Sequence, residues 1–371
     1  MNKKIPFFDY PQAYLSDRDD VLKIIDSVSS KGSFILQSEL EIFEKSLAEF
    51  SNSAFALGVG NATDGLELAW MSVNLQEGDE VIISSHTMLA TASAIKLSGG
   101  TPVPVDIGDD GLIDVNSIES AITSKTKGIS PTHLNGRTCD MDSITRIAEK
   151  YDLVIIEDAA QALGSTFKGK QAGTFGYASA ISFYPAKVLG CLGDGGAILT
   201  NSQSTYSKLK MMRDHGRNEN GEVEMWGRNS RLDNIQAAIL DFRLASYQEV
   251  IKRRREIASI YHDELQNVNE LYLPPPPSGG NNFDIFQNYE IQAELRDKLK
   301  LHLANDGIGT LIQWGGKAVH HMSNLGFDQD LLKTDLFFQR CIMLPMNMFI
   351  SNDDVQYICK SIKKFYSIEN G

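Results

Sequence analysis

The chain has 371 residues, 42% hydrophobic and 22% charged, enough for one large buried core with a smaller companion. Its formal net charge of −13 argues against non-specific nucleic-acid binding and against an anionic membrane surface, though not against an anionic small ligand held by local donors. Four scattered cysteines with no C-x-x-C pair show neither a disulfide framework nor a metal site, and point to a reducing cytoplasm.

Near the start, MNKKIPFFDYPQ meets Asp9 and Pro11 before a signal-peptide core can form, and no apolar run is long enough to span a bilayer. A soluble protein is expected. From about residue 54, short β-rich runs (AFALGVG, EVIISS, TPVPVD, KGISP, DLVIIED, ASAISF, GAILT) alternate with helix-period segments such as DGLELAWMSV and MDSITRIAEKY. This alternation predicts an α/β fold with a mainly parallel sheet covered by helices. The run Asp233 to Leu265 reads as long and helical, rich in Arg and Lys on one side and leading out of the sheet, with KRRRE at 252–256 as a solvated helix face. LPPPPSGGNN at 273–282 reads as a surface loop of a second, smaller domain. Beyond it, FDIFQNYEIQAE and GTLIQW alternate like strands, RDKLKLHLAND repeats like a helix, and NDDVQYICKSIKKFY is an amphipathic helix. The expected division is 1–245 for the N-terminal segment and large domain, and 246–371 for the small one.

Chemistry concentrates in two stretches. SFYPAKVLGCLGDGGA sets Lys187 in a glycine-rich loop, and VIIEDAAQALGS ends an apolar strand in Asp158, 29 residues upstream of it. A carboxylate after a strand ordinarily caps the next helix. The C-terminal ends of parallel strands are, however, where α/β proteins place ligands, so both groups can face one crevice. A lysine and a carboxylate facing one ligand suit pyridoxal 5'-phosphate chemistry, with lysine as Schiff-base partner and proton shuttle and the carboxylate opposite the pyridine nitrogen. The cofactor phosphate needs donors at a helix start, which GNATDGLELAW supplies around Ala62 and Thr63, with the Ser182 hydroxyl in addition. No G-x-G-x-x-G or Walker A pattern is present.

The segments GVGNATDGLELA, EDAAQALGSTFKGKQAGTFG, SFYPAKVLGCLGDGGA and NSRLDNIQAA resemble the DegT-type sugar aminotransferases, fold-type I pyridoxal phosphate enzymes of the aspartate aminotransferase superfamily. The likeness is collinear from IPFFDY to the final helix. It implies Lys187 as the Schiff-base residue, Asp158 as partner of the pyridine nitrogen, Gln161 near the ring hydroxyl, and Ser182, Ala62 and Thr63 at the phosphate. It implies further that Asn229 reaches the phosphate of the neighbouring subunit's cofactor, which requires a homodimer. Met88 stands where the family usually sets an aromatic ring over the cofactor. Trp314, Lys317, His320 and His321 lie in a stretch similar to the substrate-facing C-terminal region, although a Trp packed in the core fits the pattern equally well. His133 in PTHLNG and His215 in RDHGRN could touch substrate or ring, but a satisfied structural histidine is the better reading of each.

The expected activity is transfer of an amine from glutamate, through pyridoxamine phosphate, to a nucleotide-linked keto sugar. Its setting is the biosynthesis of surface polysaccharide such as lipopolysaccharide O-antigen, or of other glycoconjugates. Relatives that dehydrate sugars carry histidine in place of the lysine. A non-catalytic regulatory member that only senses ligand is the alternative from another class.

Overall fold

Val81, Ile82 and Ile83 are completely buried in succession, so their strand has apolar cover on both faces. In the computed structural model, which describes residues 3–369, that strand belongs to a seven-stranded sheet. Its members are β1 (Phe55–Val59), β2 (Glu80–Ser84), β3 (Thr101–Val105), β4 (Thr126–Ser130) and β5 (Val154–Asp158), with two further strands after them. The two-residue strands β6 (Thr166–Phe167) and β7 (Lys170–Gln171) precede β8 (Ala178–Ser182) and β9 (Gly196–Thr200). The order across the sheet is β1-β9-β8-β5-β4-β2-β3. Neighbours from β8 to β3 run parallel, while β9 is antiparallel to both β8 and β1. All seven apolar runs of the sequence are strands of this sheet.

Two helices precede it, α1 (Tyr10–Lys31) and α2 (Ser38–Ser51). The crossovers carry α3 (Ala62–Ser72), α4 (Leu89–Leu97), α5 (Val115–Ala121) and α6 (Met141–Tyr151), and α7 (Gln203–Met212) follows β9. Packing between them leaves little slack. A Cβ on Gly128 in β4 would meet the Trp70 ring of α3 at 2.5 Å, so only glycine lets that helix lie so close.

The C-terminal part is a smaller α/β domain. Its sheet has β10 (Leu271–Tyr272), β12 (Tyr289–Ala293) and β13 (Cys341–Leu344) in that order, with β12 antiparallel to both neighbours. The short β11 (Asn282–Phe283) instead pairs with β6 of the large domain. The small domain's apolar core joins α9 (Tyr247–Leu265), α10 (Arg296–Asn305) and α12 (Asn352–Glu369), while α11 (Leu332–Arg340) reaches toward the large sheet.

The Asp233–Leu265 run is helical, divided into α8 (Asn234–Leu244) and α9 by a turn at Ala245–Ser246. Two sequence expectations need correction. GTLIQW is not a strand: Leu311 makes an isolated bridge to Met343, and Trp314, Gly315 and Gly316 then take left-handed conformations that no strand accommodates. KRRRE is not simply a solvated face. Arg254 is buried, and its guanidinium donates to the carbonyls of Phe286 (2.7 Å), Met346 (2.7 Å) and Gln287 (2.6 Å).

Candidate functional site

Because β9 runs back against β8, residues 183–195 form a return loop over the C-terminal edge of the parallel strands, and Lys187 lies on it. The loop closes on itself through Phe183 N–H to Gly195 O (2.9 Å), Cys191 N–H to Phe183 O (2.8 Å) and Lys187 N–H to Tyr184 O (2.8 Å). Its glycines answer to that tightness: a Cβ on Gly195 would sit 2.9 Å from the Cys191 sulfur. The small domain clamps the loop from outside. Gln287 accepts from Val188 N–H (3.0 Å) and donates through Nε2 to Ala186 O (2.9 Å).

The Lys187 amine has no hydrogen bond or ion pair among the described residues. Burial pulls its pKa down from 10.5 to about 8, and the Asp158 carboxylate pulls the other way. An amine so held is a nucleophile near neutral pH, where an ordinary lysine is not.

Asp158 closes β5 and is 4% exposed. Its Oδ2 accepts from the Thr91 hydroxyl (2.6 Å) and its Oδ1 from Ala160 N–H (3.1 Å), in a turn rather than at a helix start. Thr91 is bonded to Thr87 (2.9 Å) and Thr87 to Thr132 (2.8 Å), so a chain of buried hydroxyls backs the carboxylate. Its neighbour Glu157 has a different task. Glu157 accepts from the N–H groups of Gly173 (2.8 Å), Phe175 (2.7 Å) and Gly176 (2.8 Å), and from His133 Nε2 (2.8 Å). Cys139 N–H donates to the other ring nitrogen of His133 (3.1 Å), which puts the ring proton on Nε2 and makes this a satisfied structural histidine. His215 is exposed at the surface.

Registers across the sheet bring the remaining candidates to the same edge. Asp158 pairs with Ala180, and Ser182, two residues on, pairs with Gly196. A Cβ on Gly196 would stand 2.6 Å from the nitrogen of Ala62, so β9 presses directly on the start of α3. There Asn61 caps the helix by accepting from Asp64 N–H (2.9 Å), while the N–H groups of Ala62 and Thr63 have no acceptor among the described residues. Free N–H groups at a helix start are an anion site. Ser230 ties the neighbouring segment down by donating to Asp64 (2.6 Å) and accepting from Gly60 N–H (3.0 Å). Asn229 beside it is exposed.

Gln161 accepts through Oε1 from Asn135 N–H (2.8 Å), which leaves its Nε2 donors without a partner among the described residues. Met88 is the N-cap of α4 and 50% exposed, with its sulfur facing Ala90 N–H at 3.1 Å. The 314–321 group stands apart. Trp314 packs edge-on to His86 (centroids 5.7 Å), Lys317 is exposed, and His320 and His321 both face Asp335 through Nε2 at 3.0 and 2.6 Å. Those three side chains have the donor types of a cation site. The tautomer opposes one: Ala318 N–H donates to His321 Nδ1 (3.1 Å), so the ring proton sits on the Nε2 that a metal would need. A cleft of about 450 Å³ opens at Lys187, lined by Phe8, Tyr10, Arg243, Asn288 and Met346 among others; of the sequence candidates Lys187 alone borders it, and neither Asp158, Gln161 and the α3 start nor the 314–321 group does.

The edge thus offers an unpartnered amine, a buried carboxylate backed by hydroxyls, and unpaired N–H donors at a helix start. A pyridoxal phosphate needs an aldehyde partner, a partner for the ring nitrogen and a phosphate cradle, and these residues fit it. The hydroxyl chain and the Gln287 clamp were not anticipated from the sequence. Their partners are far apart in the chain, and the repeated Thr87, Thr91 and Thr132 were the only available signal.

A family model described as the DegT/DnrJ/EryC1/StrS aminotransferase family matches residues 16–363. One relative, 34% identical with 98% of each chain covered, is the "pleiotropic regulatory protein" of Geobacillus stearothermophilus. Another, 37% identical over 84% of this chain and 82% of its own, is the dTDP-3-amino-3,4,6-trideoxy-alpha-D-glucose transaminase of Streptomyces venezuelae. Among solved structures, DesV of S. venezuelae in complex with a ketimine intermediate superposes with a TM-score of 0.93 at 33% identity, covering 98% of both chains.

Proposed function

This chain belongs to the DegT/DnrJ/EryC1/StrS aminotransferase family, which is pyridoxal-phosphate dependent, and from that premise we propose that it aminates a nucleotide-linked keto sugar. The observation that carries the reading is Lys187: a desolvated amine with no partner among the described residues, above the edge that holds Asp158 and the free N–H groups of α3. Bound there, the cofactor supplies an aldehyde for the amine and a protonated ring that draws electrons from the substrate carbon. Lys187 would be the residue that holds the cofactor's aldehyde end, and its amine would carry a proton at Nζ when free. Asp158 keeps the ring nitrogen charged, and the hydroxyl chain behind it holds the carboxylate in one orientation. Ala62, Thr63 and Ser182 would take the phosphate, Gln161 would donate to the ring hydroxyl, and Met88 would lie at the ring face.

The amino donor in this reading is glutamate, and the active unit is a homodimer in the cytoplasm, with Asn229 crossing to the partner's phosphate. Its exposure suits that role, as does Trp226 three residues before it, 90% exposed on the same segment. Residues 1–245 and 246–371 are the two domains, and Trp314, Lys317, His320 and His321 border the sugar only if the partner or a closing motion brings it to them. The product feeds surface polysaccharide, such as O-antigen, or another glycoconjugate.

A panel of keto-sugar nucleotides, each incubated with enzyme and glutamate and analysed by mass spectrometry, tests the reading: one gains an amine, and failure of all of them overturns it. The regulatory name of the Geobacillus relative favours a second reading, a ligand sensor of the same fold. Glutamate added to the cofactor-loaded protein shifts the visible absorbance of an aminotransferase and leaves that of a pure sensor unchanged. The sugar-dehydrating alternative is disfavoured by the lysine at 187.

A further inference from the structure

Asn135 sits in a left-handed turn (φ 56°, ψ 15°) between the two domains. Gly136 after it has φ 84°, and a Cβ there would come within 2.7 Å of the Gln287 nitrogen, so the turn is pressed against the chain of the small domain. Its backbone N–H is the donor that fixes Gln161 Oε1. A backbone N–H needs an oxygen acceptor, so this bond sets which end of the Gln161 amide points back to Asn135 and which is free.

The Asn135 side chain is itself held on every polar atom by the small domain. Its Nδ2 donates to Glu290 Oε2 (2.6 Å), and its Oδ1 accepts from Asn288 Nδ2 (2.8 Å) and Gln313 Nε2 (2.8 Å). Gln313 also donates to Glu290 Oε2 (2.9 Å), which closes a ring of hydrogen bonds around one carboxyl oxygen. Glu290 is 6% exposed and its other oxygen, Oε1, is buried without a hydrogen-bond partner among the described residues. On the far side, His86 donates through Nδ1 to Gly111 O (2.9 Å). Its Nε2 therefore carries a lone pair, also without a hydrogen-bond partner among the described residues, 3.5 Å from Glu290 Oε2. Two acceptors facing each other suit a carboxyl that keeps its proton. Burial pushes the Glu290 pKa up to about 7, against the pull of Asn135, Gln313 and Cys341.

We propose that Glu290 is a positioning residue: through Asn135 it fixes the Gln161 amide, and so the donor that Gln161 presents to the cofactor's ring hydroxyl. The proposal rests on the reading of Gln161 given above. It makes the small domain, which contributes Asn288, Glu290 and Gln313, a determinant of the electronic state of a cofactor held by the large one.

The test uses holoenzyme and reads the pH at which the bound cofactor's visible absorbance changes, together with kcat and KM for glutamate. Glu290→Gln keeps an oxygen at the Oε2 position for Asn135 and Gln313 and places its amide nitrogen where Oε1 was, so its spectral midpoint stays with the parent. Glu290→Leu removes the clasp and shifts the midpoint by about half a unit to one unit, what one hydrogen bond is worth. It lowers kcat about three- to tenfold on the same scale, with KM little changed and cofactor content intact. Gln161→Leu gives the same shift, and the double variant shifts no further than Gln161→Leu alone. Full additivity of the two shifts overturns the proposal, as does an unmoved midpoint in Glu290→Leu. A Gln161→Leu enzyme that binds cofactor with an unmoved midpoint removes the premise about Gln161 and the proposal with it, while the aminotransferase reading stands. Should Glu290→Leu not fold, Asn135→Ala keeps the backbone donor, loses the clasp, and is held to the same criteria.

Discussion

Lys187 rides on the loop between β8 and β9 with nothing bonded to its amine among the described residues, whereas Glu290 in β12 is held on one oxygen by two amides. Burial drives both toward the neutral form near physiological pH, the amine from above and the carboxyl from below. The treatment of the two differs because their tasks differ. A group that must form and release a covalent bond is held by its backbone, here through Gln287, and left free at its tip. A group that only holds others in place is satisfied at the oxygen that faces them. A buried ionisable group with a free end and a fixed backbone marks chemistry, and one knitted into amides marks architecture.

The largest way to break this contrast is at Lys187. Lys187→Ala abolishes transamination, because covalent anchor and proton shuttle are lost together, and turnover retained in a steady-state assay refutes the assignment. Asp158→Ala keeps the amine but leaves the ring nitrogen uncharged, and slows turnover by about 10²-fold or more.

Next comes complementation between subunits. Lys187→Ala and Asn229→Ala chains, each inactive alone, regain partial activity when mixed, since one site of each heterodimer has both residues intact. No recovery, with subunit exchange verified by mass spectrometry, removes Asn229 from the partner's site.

The two groups also leave opposite signatures in stability against pH, measured as urea midpoints of the cofactor-free protein. The lowered pKa of Lys187 means that the unfolded chain binds more protons between about 8 and the ordinary 10.5, so stability rises with pH through that window. Lys187→Met flattens the rise. The raised pKa of Glu290 means that the folded chain keeps its proton longer, so stability falls as pH climbs from the ordinary 4.5 to about 7. Glu290→Gln flattens that fall. An unchanged slope in either variant contradicts the burial argument for that residue.

The smallest effect concerns Met88. Sulfur–aromatic contacts are worth about 0.3–1.5 kcal/mol and stacked aromatic pairs about 0.5–1.5 kcal/mol, so Met88→Phe keeps cofactor affinity within about tenfold. Fluorescence titration checks that figure. The apparent KM for the sugar nucleotide changes, because a rigid ring replaces an adaptable thioether. Loss of cofactor with sugar binding intact reverses the assignment.

The seven strands were legible because each is a short apolar run with its own boundaries, and the Lys187–Asp158 pairing because parallel strands present their ends to one edge. GTLIQW misled because alternation in side-chain type says nothing of the left-handed backbone at Trp314. KRRRE misled because the carbonyls that bind Arg254 come from Phe286, Gln287 and Met346, far along the chain. The Asn135–Glu290 clasp is likewise a contact across 155 positions, and a lone glutamate in an apolar strand carries no local sign of its partners.

The reversed direction of β9 bears on the order in which the molecule forms. Parallel neighbours such as β4 and β5 need a helical crossover before they can pair, so their contacts close long stretches of chain. β8 and β9 pair as neighbours in sequence, with only residues 183–195 between them. Closing so short a loop costs little entropy, and local pairings of this kind form early. The hairpin that carries Lys187 is thus able to take shape before the sheet around it is complete, and before the small domain arrives to clamp it. In pulse-labelled hydrogen exchange during refolding, amides of β8 and β9 gain protection ahead of those joining β4 to β5.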